Sequence, residues 1–281
     1  MTTIPALRGE SAFIRFPERA IPGVDTIGIS EHAQQQLEKA CAGNGVILLA
    51  GPPDSGKKTL AYALLQKRCG PHSSVAAIER TPSPEVDAVV QYRTKDVIGL
   101  DVNALVRAVL RTSSDVLYVE DPADAETLER LCQAAIGPRL VIASFSEATD
   151  AIDALAVASA TIRPALAARA ITTSVGVRLL RLLCNDCKTP DPSDRTGLAA
   201  AQAGTIYRAA GCAACNDTGY RGRTAIVQVV PVNENMRSAI VSNGIRAAAA
   251  EEGMPTMQQV AMEKVTAGIT SIDEVLRTTP T

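Results

Sequence analysis

The chain has 281 residues, a formal net charge of −2 and 46% apolar residues, with no Trp, three Phe and five Tyr. That length supplies one large domain or two smaller ones, with a core built from Ala, Val, Leu and Ile. The near-neutral charge gives nucleic-acid or anionic-membrane binding no bulk electrostatic support, and no apolar run approaches the ~20 residues of a membrane span.

The first residues, Met1 to Ala6, lack the basic-then-apolar layout of a signal peptide. A soluble cytoplasmic protein is expected, free to dock at a membrane through a partner. Residues 1–25 are Pro-punctuated and strand-like around Ala12 to Phe16. They read as an edge strand plus linker, or as the remnant of a preceding domain. Ser30 caps a predicted helix that runs to about Ala40. An apolar strand, Val46 to Ala50, leads into Gly51-Pro52-Pro53-Asp54-Ser55-Gly56-Lys57-Lys58-Thr59, and a helical run from Leu60 to Lys67 follows. Further strands are predicted at Val75–Ile78, Val116–Val119 and Leu140–Ala143. Helices are predicted at Asp101–Arg111, Ala125–Ala135, Ala148–Leu155 and Pro164–Ala170. This alternation predicts an α/β core over residues 26–183, a mostly parallel sheet covered on both faces. Ligands of such folds sit at the carboxyl ends of the strands, where the loop after Ala50 and the pair Glu120-Asp121 both lie. The acidic pair also has a plain reading, a strand end meeting solvent.

The loop follows the pattern G-x-x-x-x-G-K-[ST] up to its last position. Backbone N–H groups in such a loop converge on phosphate oxygens, the Lys reaches the β/γ-phosphates, and the hydroxyl ligates Mg²⁺. Gly51, Gly56 and Lys57 are in place. The hydroxyl position holds Lys58, with Thr59 one residue late.

Seven cysteines are unevenly spread. Cys41, Cys69 and Cys132 stand alone among apolar or helical neighbours and are expected to be buried, reduced thiols. Cys184/Cys187 and Cys212/Cys215 form two C-x-x-C pairs with zinc-site spacing. A redox dithiol needs only one such pair, and disulfides are disfavoured in the cytosol. Four thiolates leave no open position, so the expected Zn²⁺ is structural. Residues 184–223 then form a zinc-stapled insertion. Residues 224–281 carry a strand at Val227–Val230 and small helices around 235–242, 246–252, 257–267 and 272–277.

Several blocks now stand in one order. They are the loop, Ile78-Glu79, Gly99 to Arg111, Ser114 to Thr127, the two cysteine pairs with Gly211 to Arg223, and Gly268 to Arg277. From about residue 8 onward this order resembles the C-terminal motor domain of the type II secretion and type IV pilus assembly ATPase family. The resemblance implies a RecA-like core that binds ATP and works in a hexameric ring. That ring would dock on an inner-membrane platform protein and drive pseudopilus or pilus assembly. It further implies that Gly51 to Thr59 is the phosphate loop, that Glu79 is the acidic residue of the aspartate box, and that Asp121 polarises the attacking water. Cys184, Cys187, Cys212 and Cys215 match the zinc ligands.

The departures fall on the chemistry. The family loop usually reads Gly-Pro-Thr-Gly-Ser-Gly-Lys, so Asp54 replaces a glycine and places a carboxylate near the phosphates. Lys58 has no lone pair for Mg²⁺. The second motif, normally Gly-Glu-Ile-Arg, reads Glu120-Asp121-Pro122-Ala123. The position of the family's His box has no His, and Ser146 lies near it. The amino-terminal domains of the family are nearly absent; only Arg8 to Arg15 resembles their last strand. Two readings follow: a motor-type subunit with slow hydrolysis, or a non-catalytic subunit that joins a ring of active paralogues.

Overall fold

Gly45 to Ala50 is buried at every position, the mark of a strand with both faces covered rather than one face wet. The computed structural model describes residues 2–7, 9–13, 21–80, 85–95, 98–122, 124–192 and 205–279. Strands β1 (Thr2–Ala6) and β2 (Gly9–Phe13) form a separate antiparallel hairpin. The expected strand around Ala12 to Phe16 is thus in part the second arm of this hairpin, and residues 14–16 lie outside the described residues.

Strands β3 (Gly45–Ala50), β4 (Val75–Glu79), β5 (Val90–Arg93), β6 (Val116–Glu120), β7 (Leu140–Phe145) and β8 (Ile171–Leu183) belong to one seven-stranded sheet. A minor antiparallel pair, β9 (Thr189–Pro190) and β10 (Tyr207–Arg208), sits in the cysteine segment. β11 (Tyr220–Pro231) completes the large sheet, whose order is β11-β8-β3-β7-β6-β4-β5. Every pairing from β8 to β5 is parallel; β11 alone runs antiparallel, against β8. The sheet is therefore mixed, with the predicted parallel core and an antiparallel edge.

Helices α1 (Glu31–Ala42), α2 (Lys57–Arg68), α3 (Val102–Val109), α4 (Ala125–Ala135), α5 (Ala151–Thr161) and α6 (Pro164–Ala170) cover this core. Ser30, Asp101, Asp124 and Asp150 cap four of them, each accepting from the N–H three residues on at 2.7–3.3 Å. Such caps satisfy N–H groups that have no partner inside the helix. Leu37, Leu60, Leu64 and Leu65 from α1 and α2 pack on one face with Ile47 and Leu49. Val106, Leu128, Leu131 and Leu155 pack on the other with Val46 and Leu48. Cys41 and Cys132 are buried as expected; Cys69 is only half-buried, because it ends α2.

The strand Ile171–Leu183 was not foreshadowed by the apolar pattern. Thr172, Thr173, Ser174, Arg178 and Arg181 interrupt it, and Thr172, Ser174, Arg178 and Arg181 have their side-chain polar groups engaged by fixed partners. Ser174 Oγ donates to Ala151 O at 2.7 Å, for example, and Thr172 Oγ1 to Val46 O at 3.3 Å. Short, half-exposed β5 was likewise missed.

The carboxyl-terminal segment adds α7 (Glu234–Ser242), α8 (Ile245–Glu251), α9 (Met257–Thr266) and α10 (Ile272–Thr278), close to the expected bounds. Met257, Ala261, Val265 and Val275 pack on Leu180 and Ile226 of the antiparallel edge. Glu274 pins α10 to β8. Its side chain is fully buried, accepts from Arg181 N at 3.0 Å and pairs with the Arg181 and Arg277 guanidiniums, each at 2.7 Å. Burial pushes this carboxyl's pKa up, but the arginine and backbone donors outweigh it and bring the value from 4.5 to about 2. The folded value lies below the unfolded one, so the contribution to stability is complete above about pH 4.5. It is lost as pH falls through about 2. Glu274→Ala should cost about 3 kcal/mol at neutral pH, the low end for a broken buried pair because both arginines reach solvent. In urea unfolding the variant should also lose part of the wild type's acid sensitivity between about pH 4.5 and pH 2. Unchanged neutral-pH stability would refute this role.

Candidate functional site

β3, β7, β6 and β4 are neighbours and end together. Ala50 pairs with Phe145, Glu120 with Ser144, and Ile78 with Val119. The loop from Gly51, Ser146, Asp121 and Glu79 therefore line one edge of the sheet.

The loop joins β3 to α2. Gly51 has φ 151° and Gly56 has φ 97°, both conformations that favour glycine. Asp54 has φ 62°, in the left-handed region, so the residue standing for a glycine also carries a glycine conformation. Pro52 and Pro53 contribute no N–H to the loop. Lys57, buried, folds back on the loop and donates to Gly51 O and, at 2.9 Å, to Pro52 O. Burial pushes its pKa down, Asp121 opposes this, and Arg178 adds to it. Ser55 Oγ is buried and has no hydrogen-bond partner. An orphaned hydroxyl costs free energy unless a ligand satisfies it.

Lys58 reaches the ends of β6 and β4. Its ammonium lies 2.9 Å from Glu120 Oε1 and 3.4 Å from Glu79 Oε1. Glu120 Oε2 accepts from Arg80 N at 2.7 Å, and Glu79 Oε2 from Gln91 Nε2 at 3.4 Å. Gln91 also donates to Tyr62 Oη at 2.8 Å. Thr59 follows in the first turn of α2.

Asp121 has φ 45°, and its N–H donates to Ser144 O at 3.1 Å. Its two carboxylate oxygens accept from Ser146 N and Ser146 Oγ, both at 2.8 Å. The Asp that stands for a Glu is thus tied to the Ser near the missing His. Ala123, at the position of the lost Arg, lies outside the described residues.

Two participants escaped the sequence reading. Glu120 was seen only as half of an acidic pair. Arg178 was passed over, although a cation inside an apolar strand was a signal. It is buried beside the loop, donates to Val177 O at 3.1 Å and to Thr149 O, and burial pushes its pKa down.

The four paired cysteines converge. All Sγ atoms lie within 4.8 Å of one another, with Cys184–Cys212 at 3.9 Å and Cys187–Cys215 and Cys212–Cys215 at 3.8 Å. Zn–S bonds of about 2.3 Å define a tetrahedron with edges of about 3.8 Å, so the donor set fits that ion. Gly211 N points at Cys187 Sγ at 3.3 Å, and Cys212 N and Gly219 N point at Cys215 Sγ at 3.2 Å. Desolvation raises the pKa of the Cys215 thiol, but these N–H donors prevail and hold it at about 7. Burial instead pushes the Cys187 thiol up to about 12 and raises that of Cys212.

A loop of this form, an acidic strand end beside it and a four-cysteine cluster now stand on one chain. The family model described as type II/IV secretion system protein matches residues 1–277. The chain belongs to this family. Among relatives, the type IV pilus assembly ATPase PilB of Thermus thermophilus is 30% identical over 99% of this chain and 33% of that protein. The type II secretion system protein E of Dickeya dadantii is 30% identical over 99% of this chain and 58% of its own length. The chain thus spans a third to under two thirds of these family members. Among solved structures, the pilus retraction motor PilT with bound ADP superposes with a TM-score of 0.73 at 19% identity, over 99% of this chain and 73% of that one. The Legionella pneumophila ATPase DotB follows at 0.66 and 15%, over 90% and 64%. At these identities the likeness concerns the fold alone. No helix among the described residues is long and apolar enough to cross a membrane.

The family loop leaves no room at its first glycine. A Cβ on Gly51 would stand 2.5 Å from Ser55 Oγ and 2.6 Å from the Val177 carbonyl oxygen. Gly51→Ala should therefore destabilise the protein by about 2 kcal/mol, from overpacking against backbone. A change below about 0.5 kcal/mol in denaturant unfolding would contradict the packing of β8 against the loop.

Proposed function

We propose that the chain is an ATP-binding, motor-type subunit of a type II secretion or type IV pilus assembly machine, with slow hydrolysis. The observation that carries the binding part is the loop itself. Ser55 Oγ is buried without a partner, and the Lys57 ammonium is turned onto carbonyls of its own loop. Both groups gain from an anion with acceptor oxygens. The residues that would hold ATP are Gly51 to Thr59, with Lys57 on the phosphates and α2 supplying its positive N-terminal end. ATP would supply the transferable γ-phosphoryl group, and Asp121, with Glu79 nearby, would stand for the family's catalytic carboxylates. Both Asp121 oxygens are engaged by Ser146, which weakens this carboxylate as an acceptor for a nucleophilic water and supports slow turnover. The same observation favours a second reading, a pseudo-ATPase within a ring of active paralogues.

On either reading residues 26–183 form the RecA-like core, 184–223 a zinc-binding insertion and 224–281 a helical region. Residues 1–25 are an amino-terminal segment and linker ahead of this core. A homo- or hetero-hexamer docked on an inner-membrane platform protein is the expected assembly, at the cytoplasmic face. Cys184, Cys187, Cys212 and Cys215 would hold Zn²⁺ with no position left for substrate, so the metal is structural.

Binding is tested by titrating a fluorescent ATP analogue into the wild type and Lys57→Ala. The wild type should bind, and the variant should be at least about tenfold weaker, because a charge-assisted contact to phosphate is lost. Failure of the wild type to bind would leave only the pseudo-ATPase reading. Turnover that survives Lys57→Ala would place hydrolysis outside this loop. Metal analysis should find close to one zinc per chain. Chelation or Cys184→Ser should speed amide exchange in the cysteine segment, since metal binding is coupled to local folding. Absence of zinc would overturn the assignment.

A further inference from the structure

A phosphate loop that uses Mg²⁺ places a hydroxyl directly after its lysine. Lys58 occupies that place and brings a cation instead of an oxygen ligand. Glu120 is also unusual, standing where the resembling pattern has glycine. The two residues are far apart in sequence, yet Lys58 Nζ and Glu120 Oε1 meet at 2.9 Å. Glu79 Oε1 lies on the same ammonium at 3.4 Å, and its side chain is 4% exposed against 28% for Lys58. Each carboxylate is steadied through its second oxygen, Glu120 by Arg80 N and Glu79 by Gln91 Nε2. The ammonium thus sits between two fixed carboxylates, as a metal ion would.

Mg²⁺ does not fit these residues. It requires near-octahedral oxygen ligands at about 2.0–2.1 Å. Here one expected ligand is a lysine, whose ammonium has no lone pair, and the acidic groups already neutralise that ammonium. A dication placed beside it would find both carboxylates already committed to the ammonium. Thr59, whose hydroxyl follows Lys58 in the chain, belongs to the next helical position, about 100° around α2.

We infer that Lys58 is a built-in cation in place of Mg²⁺, and that the pocket takes a nucleoside polyphosphate free of metal and disfavours its magnesium complex. The inference rests on the nucleotide-binding reading above for its ligand, and on the Lys58–Glu79–Glu120 cluster for its chemistry. Binding is then governed by Lys57 and Lys58 together, and Glu120 is the residue that positions Lys58.

Two measurements separate these foundations. In the first, the fluorescent ATP analogue is titrated in EDTA and in excess Mg²⁺. The wild type should bind more tightly in EDTA, with affinity in Mg²⁺ lower by up to about tenfold. The double variant Lys58→Thr/Glu120→Gly, which restores a hydroxyl without unbalancing charge, should reverse the sign. Lys58→Arg should keep the wild-type order. Tighter wild-type binding in Mg²⁺ would overturn the inference while leaving nucleotide binding intact.

The second measurement needs no nucleotide. Mn²⁺ is titrated into the wild type and into Lys58→Thr, with the free ion followed by electron paramagnetic resonance. Lys58→Thr uncovers Glu79 and Glu120 and should take up Mn²⁺; the wild type should not. Equal uptake by both, or uptake by neither, would overturn the built-in cation. If the wild type binds no nucleotide in either buffer but the Mn²⁺ contrast appears, the binding reading fails and the cation assignment stands. Should Lys58→Thr prove unfolded by circular dichroism, Lys58→Gln, which keeps the aliphatic stem, serves in the Mn²⁺ titration with the same outcomes.

Discussion

Four parallel strands, β3, β7, β6 and β4, end at one level because each pairs residue for residue with its neighbour. That shared level puts the loop after Ala50, Ser146, Asp121 and Glu79 at one edge, although they come from four separate stretches of chain. Backbone hydrogen bonding sets this constraint, and side chains only exploit it. A one-residue slip of β6 would turn Glu120 to the opposite face and leave Lys58 without its nearest carboxylate. The apolar layers on both faces penalise such a slip heavily, since it would also expose Leu117 and Val119 to the wrong helices.

The changes that separate this chain from an ordinary phosphate loop are not scattered. Lys58 meets Glu120, and Asp121 meets Ser146. Each pair consists of two departures that satisfy one another's charge or hydrogen bonding. Each change therefore stands beside a partner that answers its charge or hydrogen bonding. The fold keeps its strands, caps and core around these pairs.

Much of this organisation was legible in the sequence. The helices of the carboxyl-terminal segment and the strands at β3, β4, β6 and β7 follow from periodicity and capping, and these signals are local. The cysteine cluster was legible because the spacing of a C-x-x-C pair already determines how its sulfurs lie. β8 was not, because its Thr172, Ser174 and Arg178 are silenced by partners on other elements, which no local pattern records. The partner of Lys58 was hidden for the same reason. The sheet brings Glu120 and Glu79 to it from two other strands. At the site, the identity of the residues was legible and their pairing was not.

β8 runs unbroken from Ile171 to Leu183. Near its middle the Val177 carbonyl and Arg178 abut the first glycine of the loop, and Cys184 follows its last residue. The eight residue steps from Gly176 to Cys184 cover about 26 Å. The strand is paired on both sides, by β3 and β11, as far as Gly176, and by β11 alone from there to Leu183. The cysteine cluster is therefore the far end of a strut whose near end forms the wall of the loop. Between that cluster and the wall of the loop the chain makes no turn.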